Sequence, residues 1–111
     1  MPRHVVKLTA LDGAWYLEWS TVVDAPVTFG MRRGEFAMWY GDEYGRAGIK
    51  ELAERFDRAD ATGCSARDGT SLAELLATNR AGPGETALTR DEIVEWYCRR
   101  RRDPGAKEAG G

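Results

Sequence analysis

The chain has 111 residues and a formal net charge of −2, enough for one small domain built on one core. Hydrophobic residues at 42% against charged residues at 31% place it with folded chains rather than disordered ones, and the charge excludes a strongly basic nucleic-acid-coating protein. No stretch approaches the ~20 apolar residues that span a bilayer, and residues 1–8 contain no apolar run of signal-peptide length, so the expectation is a cytoplasmic protein with no membrane partner.

The first predicted element is a β-hairpin. Asp12-Gly13 is a strong two-residue turn signal, because a type I′ turn needs positive φ at both positions. With those two residues as the loop, Leu11 faces Ala14 and the register follows outwards: Ala10 opposes Trp15, Leu8 opposes Leu17 and Val6 opposes Trp19, all on one apolar face. The other face then pairs Thr9 with Tyr16, Lys7 with Glu18 and Val5 with Ser20, including one opposite-charge pair. A lone hairpin is unstable in water, so its apolar face needs a cover. Residues 21–30 continue with Val22, Val23, Val27 and Thr28. Pro26 lacks a ladder donor, which limits any third strand to a short or edge position.

Helical spacing follows. Residues 32–44 carry Phe36, Trp39, Tyr40 and Tyr44 on one side, with no Ser, Thr, Asp or Asn cap at the start and with Gly34 and Gly41 each costing about 1 kcal/mol against Ala. Gly45 is the expected stop. Residues 47–60 place Ile49, Leu52, Ala53 and Phe56 in an i, i+3, i+4, i+7 stripe ended by Gly63. Ser71 and Glu74 form a capping-box pattern opening a short helix with Leu72, Leu75 and Leu76 inward. Residues 79–84 break the chain. Thr89 and Glu92 form a second capping box, with Leu88 and Ile93 as its hydrophobic staple, opening a helix that presents Ile93, Trp96 and Tyr97. Residues 103–111 are Gly, Ala and charge, the composition of a flexible tail.

Candidate chemistry is sparse. Arg99, Arg100, Arg101 and Arg102 stand at the end of the last helix, where they suit a phosphate-binding arm or simply favour the helix dipole. Residues 62–71 lead into a helix N-terminus with small residues, hydroxyls, Arg67 and Ser71. That combination can hold a phosphate or carboxylate, although the Ser71 cap already uses some donors and Asp68 repels anions; a linker with a capped helix is the plainer reading. Glu43 falls among Phe36, Trp39 and Tyr40 at ~100° per residue, where a carboxylate against rings would have a raised pKa and could act as a general acid; its place in the last turn equally lets it reach solvent or a tyrosine hydroxyl. The two cysteines, Cys64 and Cys98, are not a CxxC pair and read as free buried thiols in a reducing compartment. A zinc site would need both of them, His4 and a carboxylate. No nucleophile–base motif is present.

Arginine outnumbers lysine 13 to 3, as in GC-rich genomes. Residues 15–31 (WYLEWSTVVDAPVTFGM) and 79–85 (NRAGPGE) resemble small proteins encoded by bacteriophages of actinobacteria, in which a hydroxyl or acidic residue follows Gly-Met where this chain has Arg32 and Arg33. The resemblance covers most of the chain and implies a phage or prophage origin and an accessory role, with no catalytic activity attached.

The expected architecture is an α+β domain over residues 1–102, an N-terminal β-hairpin with at most a short third strand, packed by three to four short helices. The expected function is non-enzymatic binding of a host or phage macromolecule, with no cofactor. The surplus large aromatics suit interface anchors, above all Trp39, Tyr40 and Tyr44 on the glycine-containing helix. The alternatives are a nucleic-acid-associated protein using Arg99 to Arg102, and a binder or enzyme of a nucleotide or phosphate ligand using Arg67 and Ser71. An exposed hairpin edge would also allow a symmetric homodimer.

Overall fold

A computed structural model describes residues 3–102 and 104; the expected flexible tail lies, Pro104 aside, outside the described residues. The elements are β1 (Arg3–Ala10), β2 (Gly13–Ser20), β3 (Ala25–Pro26), α1 (Arg33–Thr62), α2 (Leu72–Ala77), a 3-10 turn (Pro83–Glu85) and α3 (Arg90–Ile93), which runs on into a π-helical stretch (Val94–Arg99). The strands form one antiparallel sheet in the order β1-β2-β3, so the chain is α+β.

The hairpin is present with a register two residues away from the expected one. Ala10 pairs with Gly13, Leu8 with Trp15, Val6 with Leu17 and Val5 with Glu18, which puts Leu11 and Asp12 at the tip. The physical reason is the turn. Only Gly13 has positive φ there, at 114°, the arrangement of a tight turn followed by a left-handed glycine rather than a type I′ loop. Because side chains alternate with a period of two, a shift of two keeps every residue on its expected face. The partners change: Lys7 lies opposite Tyr16, not Glu18.

Both faces of the sheet are buried. Val6, Leu8, Trp15, Leu17 and Trp19 pack with Cys64, Leu75, Ile93, Val94, Tyr97 and Cys98. On the other side Val5 and Tyr16 pack with Phe36, Tyr40, Leu52, Phe56 and Ala59 of α1. The single core expected from chain length is therefore two half-cores with the sheet between them. Its edges are occupied too. Lys7 N–H donates to the Gly63 carbonyl and Ser65 N–H to the Val5 carbonyl, both at 2.9 Å, so the chain after α1 runs along β1 where the dimer-forming edge was expected. Arg90 adds a hydrogen bond to the Thr9 carbonyl.

The two helices expected over 32–44 and 47–60 form one element broken at Gly45, whose backbone (φ 69°, ψ −162°) is not helical. The missing N-cap is replaced from the other direction: the Glu35 carboxylate accepts the Arg32 backbone N–H at 3.1 Å, placing an acid at the positive end of the helix dipole. The inward stripe of the second half is Gly48, Leu52, Phe56 and Ala59. Ile49 is exposed and Ala53 likewise, against expectation, because the break at Gly45 resets which face meets the sheet. Ser71 caps α2 by accepting the Glu74 N–H at 3.1 Å, and the Thr89–Glu92 capping box is reciprocal. Buried Asn79 holds the intervening chain, donating to the carbonyls of Leu76 and Leu88 and accepting from the amides of Ala81 and Leu88.

Gly30 shows how closely the layers meet. Its N–H donates to the Tyr97 carbonyl at 2.8 Å, and a Cβ there would lie 2.3 Å from Cys98 Sγ and 3.0 Å from Cys98 Cα. Gly30→Ala is expected to destabilise the fold by about 1–3 kcal/mol through overpacking, read as a lowered urea midpoint at unchanged slope; an unaltered midpoint would contradict this packing.

Candidate functional site

After Pro26 the chain stays beside β2 without forming a full ladder. Val27 N–H donates to the Glu18 carbonyl at 2.8 Å, and Tyr16 and Met31 exchange N–H···O bonds at 2.7 and 2.8 Å. Thr28 Oγ1 accepts the Glu18 N–H at 3.0 Å. This pinning at both ends lifts Val27 and Phe29 outward, and they are 40% and 42% exposed. Together with Met31 and half-buried Trp39 they line a cleft of 520 Å³, rimmed by Arg3, Glu43 and Arg101. Arg3 and Arg101 are paired with Glu18 and Glu35, whereas Glu43 has no ion pair among the described residues. The cleft therefore offers an apolar floor and one uncompensated carboxylate.

The three aromatics singled out from sequence separate into different roles. Tyr40 is 4% exposed and packs in the α1 half-core. Tyr44 bonds a buried acid. Only Trp39, whose ring is tilted against that of Phe36 with centroids 5.5 Å apart, contributes to the cleft.

The acid held among aromatics is Glu18, not Glu43, which is exposed. Glu18 is 3% exposed; its two oxygens lie 2.7 and 2.9 Å from the Tyr44 hydroxyl, and Arg3 donates to it at 3.0 Å. A buried carboxylate is tolerated only when its oxygens are satisfied, and here both are. Burial and the bond to Glu18 push the Tyr44 phenol up to about 12. Glu18 was not recognised from sequence because alternation placed it on a face taken to be solvated. On the same side, Asp60 accepts from Tyr16 and Arg33 at 2.7 Å each and pairs with Lys7 at 3.3 Å; burial raises its pKa, and these three partners together lower it further than burial raises it.

The C-terminal arginines do not form a free arm. Arg99 meets Asp12 at the hairpin tip at 3.4 Å and Glu95 at 3.8 Å. Arg100 pairs with Glu95 at 2.7 Å and lies 4.6 Å over the Trp96 ring. Arg101 reaches Glu35 at 2.9 Å. Arg102 is exposed, with its backbone N–H on the Trp96 carbonyl at 2.8 Å. Hydrogen bonding by Arg99 holds the Asp12 carboxyl below its ordinary range. The π-helical stretch produces this arrangement: Arg100 N–H reaches back five residues to Glu95, rotating the following arginines relative to an ordinary α-helix.

Arg67 and Ser71 are not brought together as a ligand pair: Arg67 pairs with Glu54 at 3.3 Å, while Ser71 is spent on its cap. Cys64 and Cys98 are buried free thiols in the same half-core. Burial pushes Cys98 up to about 12 and Cys64 upward as well, which suppresses thiolate chemistry. Among the described residues no three His, Cys, Asp or Glu side chains are gathered to hold a metal ion, and no helix is long and apolar enough to cross a membrane. No protein-family model matches the chain, and no curated protein or solved structure is significantly similar to it.

In the sequence only the i, i+2 spacing of Val27 and Phe29 after Pro26 marks them as sharing one face of the chain. Two outcomes test the acid brace. Tyr44→Phe removes a hydroxyl from a buried carboxylate and is expected to cost about 1–3 kcal/mol in urea unfolding. In the wild type, the unfolded chain releases the Tyr44 proton near pH 10 while the folded chain retains it to about 12, so this contribution is complete below pH 10 and is lost as pH rises towards 12. Stability should therefore fall more steeply across that window in the wild type than in Tyr44→Phe; parallel profiles would contradict the brace.

Proposed function

We propose that the protein is a non-enzymatic accessory factor of phage or prophage origin that works by binding another protein, and that the Val27–Phe29–Trp39 cleft is where it binds. The observation that carries this reading is the pairing of exposed apolar side chains with an uncompensated acid at one place. Large aromatics and exposed aliphatics around a concavity are the usual anchors of a protein interface, and Glu43 matches a partner that presents Lys or Arg beside an apolar side chain. The lack of a nucleophile–base arrangement among the described residues, with both thiols held protonated by burial, favours binding over catalysis. Nucleic acid is the weaker partner, since Arg99, Arg100 and Arg101 are already engaged with acids of the same chain and exposed pairs of this kind leave little net charge to offer.

The test is affinity capture from an actinobacterial host lysate with nuclease added, comparing wild type, Phe29→Asp and Glu43→Lys. A stoichiometric protein retained by the wild type and weakened by roughly thirtyfold in Phe29→Asp, the equivalent of about 2 kcal/mol for a hot-spot residue, supports the cleft. Equal retention by all three overturns it, and recovery that disappears with nuclease transfers the function to nucleic acid. Circular dichroism and the urea midpoint of each variant establish that the fold is kept.

A further inference from the structure

On the opposite flank of β1 from the apolar cleft, the first residues of the strand, the second half of α1 and the chain after it enclose a second concavity of 350 Å³. Arg3, His4, Arg55, Arg58 and Arg67 line it with Ser65, against two acids, Glu51 and Asp68. Four of the chain's 13 arginines thus converge on one cleft, although the chain as a whole is acidic.

Two of these arginines are substantially buried, and each pairs with an acid of its own helix at a distance too long for a hydrogen bond. The side chain of Arg55 is 16% exposed and stands 3.7 Å from Glu51, and that of Arg58 is 28% exposed and stands 4.0 Å from Glu54. Each is oriented by a backbone carbonyl: Arg58 Nε donates to Ser65 at 2.7 Å and Arg55 to Arg3 at 3.3 Å. Each guanidinium has five N–H donors, so one orienting bond leaves most of the fork directed elsewhere. Asp68 remains an anion at the rim, its carboxylate accepting both the Thr70 N–H at 3.0 Å and the Thr70 hydroxyl at 2.7 Å, and it forms no ion pair with these arginines among the described residues. Buried Ser65 accepts the Val5 N–H at 2.8 Å, which leaves its own hydroxyl proton as a further donor.

We propose that this cleft binds a phosphate group, with Arg55 and Arg58 as the fixed guanidinium forks, Ser65 as a hydroxyl donor and Arg67, exchanging its exposed pair with Glu54 at 3.3 Å for the ligand, closing from the solvent side. Planar guanidinium forks match the paired oxygens of phosphate better than a point charge does. No aromatic side chain other than His4 lines the cleft, so it reads the phosphate and not a stacked base. The inference is independent of the protein-binding reading, as the two clefts share only Arg3.

The experiment is a titration of the 15N-labelled chain with inorganic phosphate at constant ionic strength, chloride being the counter-titrant, repeated with adenosine monophosphate and with a single-stranded oligonucleotide. Saturable shifts at His4, Ser65 and Arg67, similar for phosphate and the monophosphate, are expected. The affinity should fall about tenfold or more in Arg55→Gln, the effect of losing one charge-assisted partner. Exposed Arg67→Glu is the second variant, expected to weaken binding even where Arg55→Gln perturbs folding. Shifts that grow linearly with phosphate, unaltered affinity in Arg67→Glu, or a response to the oligonucleotide alone would each overturn the proposal.

Discussion

From Trp15 to Ser20 every residue of β2 is buried, and the remaining architecture answers that demand. A strand sends alternate side chains to opposite sides, so a hairpin with two apolar faces needs two separate covers. The long helix α1 supplies one, and the segment from Cys64 to Cys98 supplies the other. The demand also explains the cost accepted at Glu18. An acid in the middle of such a strand cannot reach water, and the chain accommodates it by bringing Tyr44 from α1 and Arg3 from β1 onto the same carboxylate. Gly48 assists by letting Tyr44 lie flat against its own helix, where an added Cβ would stand 2.3 Å from Tyr44 Cβ.

Arginine bias, which in sequence points only to genome composition, has a physical use in the fold. Arg32 lies 3.6 Å over the Trp15 ring and Arg33 4.1 Å over Phe56, each also tied to an aspartate. A flat guanidinium can stack on a ring and pair with a carboxylate at the same time, which an ammonium does poorly. These side chains roof the edges of both half-cores, where a domain of this size has few apolar residues left for the task.

Local signals were legible where a short stretch determines its own geometry. The hairpin faces, the two serine and threonine caps, the break at Gly45 and the edge position of Pro26 all follow from neighbours a few residues apart. Failures occurred where distant residues decide. The contacts that Asp12 makes at the hairpin tip come from Arg32 and Arg99, far along the chain, and the Arg99–Arg102 run looks free until the hairpin tip and Glu35 are placed beside it. Ile49 reads as core because periodicity has no knowledge of the helix break that turns it outward. Of the candidate interaction residues, Trp39 stands at the cleft, while Tyr40 and Tyr44 were drawn inward by the second face of the sheet, which the alternation of Lys7, Thr9 and Glu18 had made look solvated.

The two covers differ in when they become available. The α1 cover is complete by Thr62, soon after the hairpin, but the opposite face waits for Tyr97 and Cys98, and Arg99 closes on Asp12 across 87 positions of sequence. A nascent chain emerging from a ribosome therefore carries an uncovered patch of Val6, Leu8, Leu17 and Trp19 until nearly all of the described domain has been made. Long-range closure of this kind slows folding, and a half-covered sheet is the type of surface on which chaperones act and chains associate wrongly. Sealing both sheet edges internally, with residues 63–65 along one and residues 25–31 along the other, limits the damage: the waiting intermediate is sticky on one face but offers few open strand edges to a neighbour.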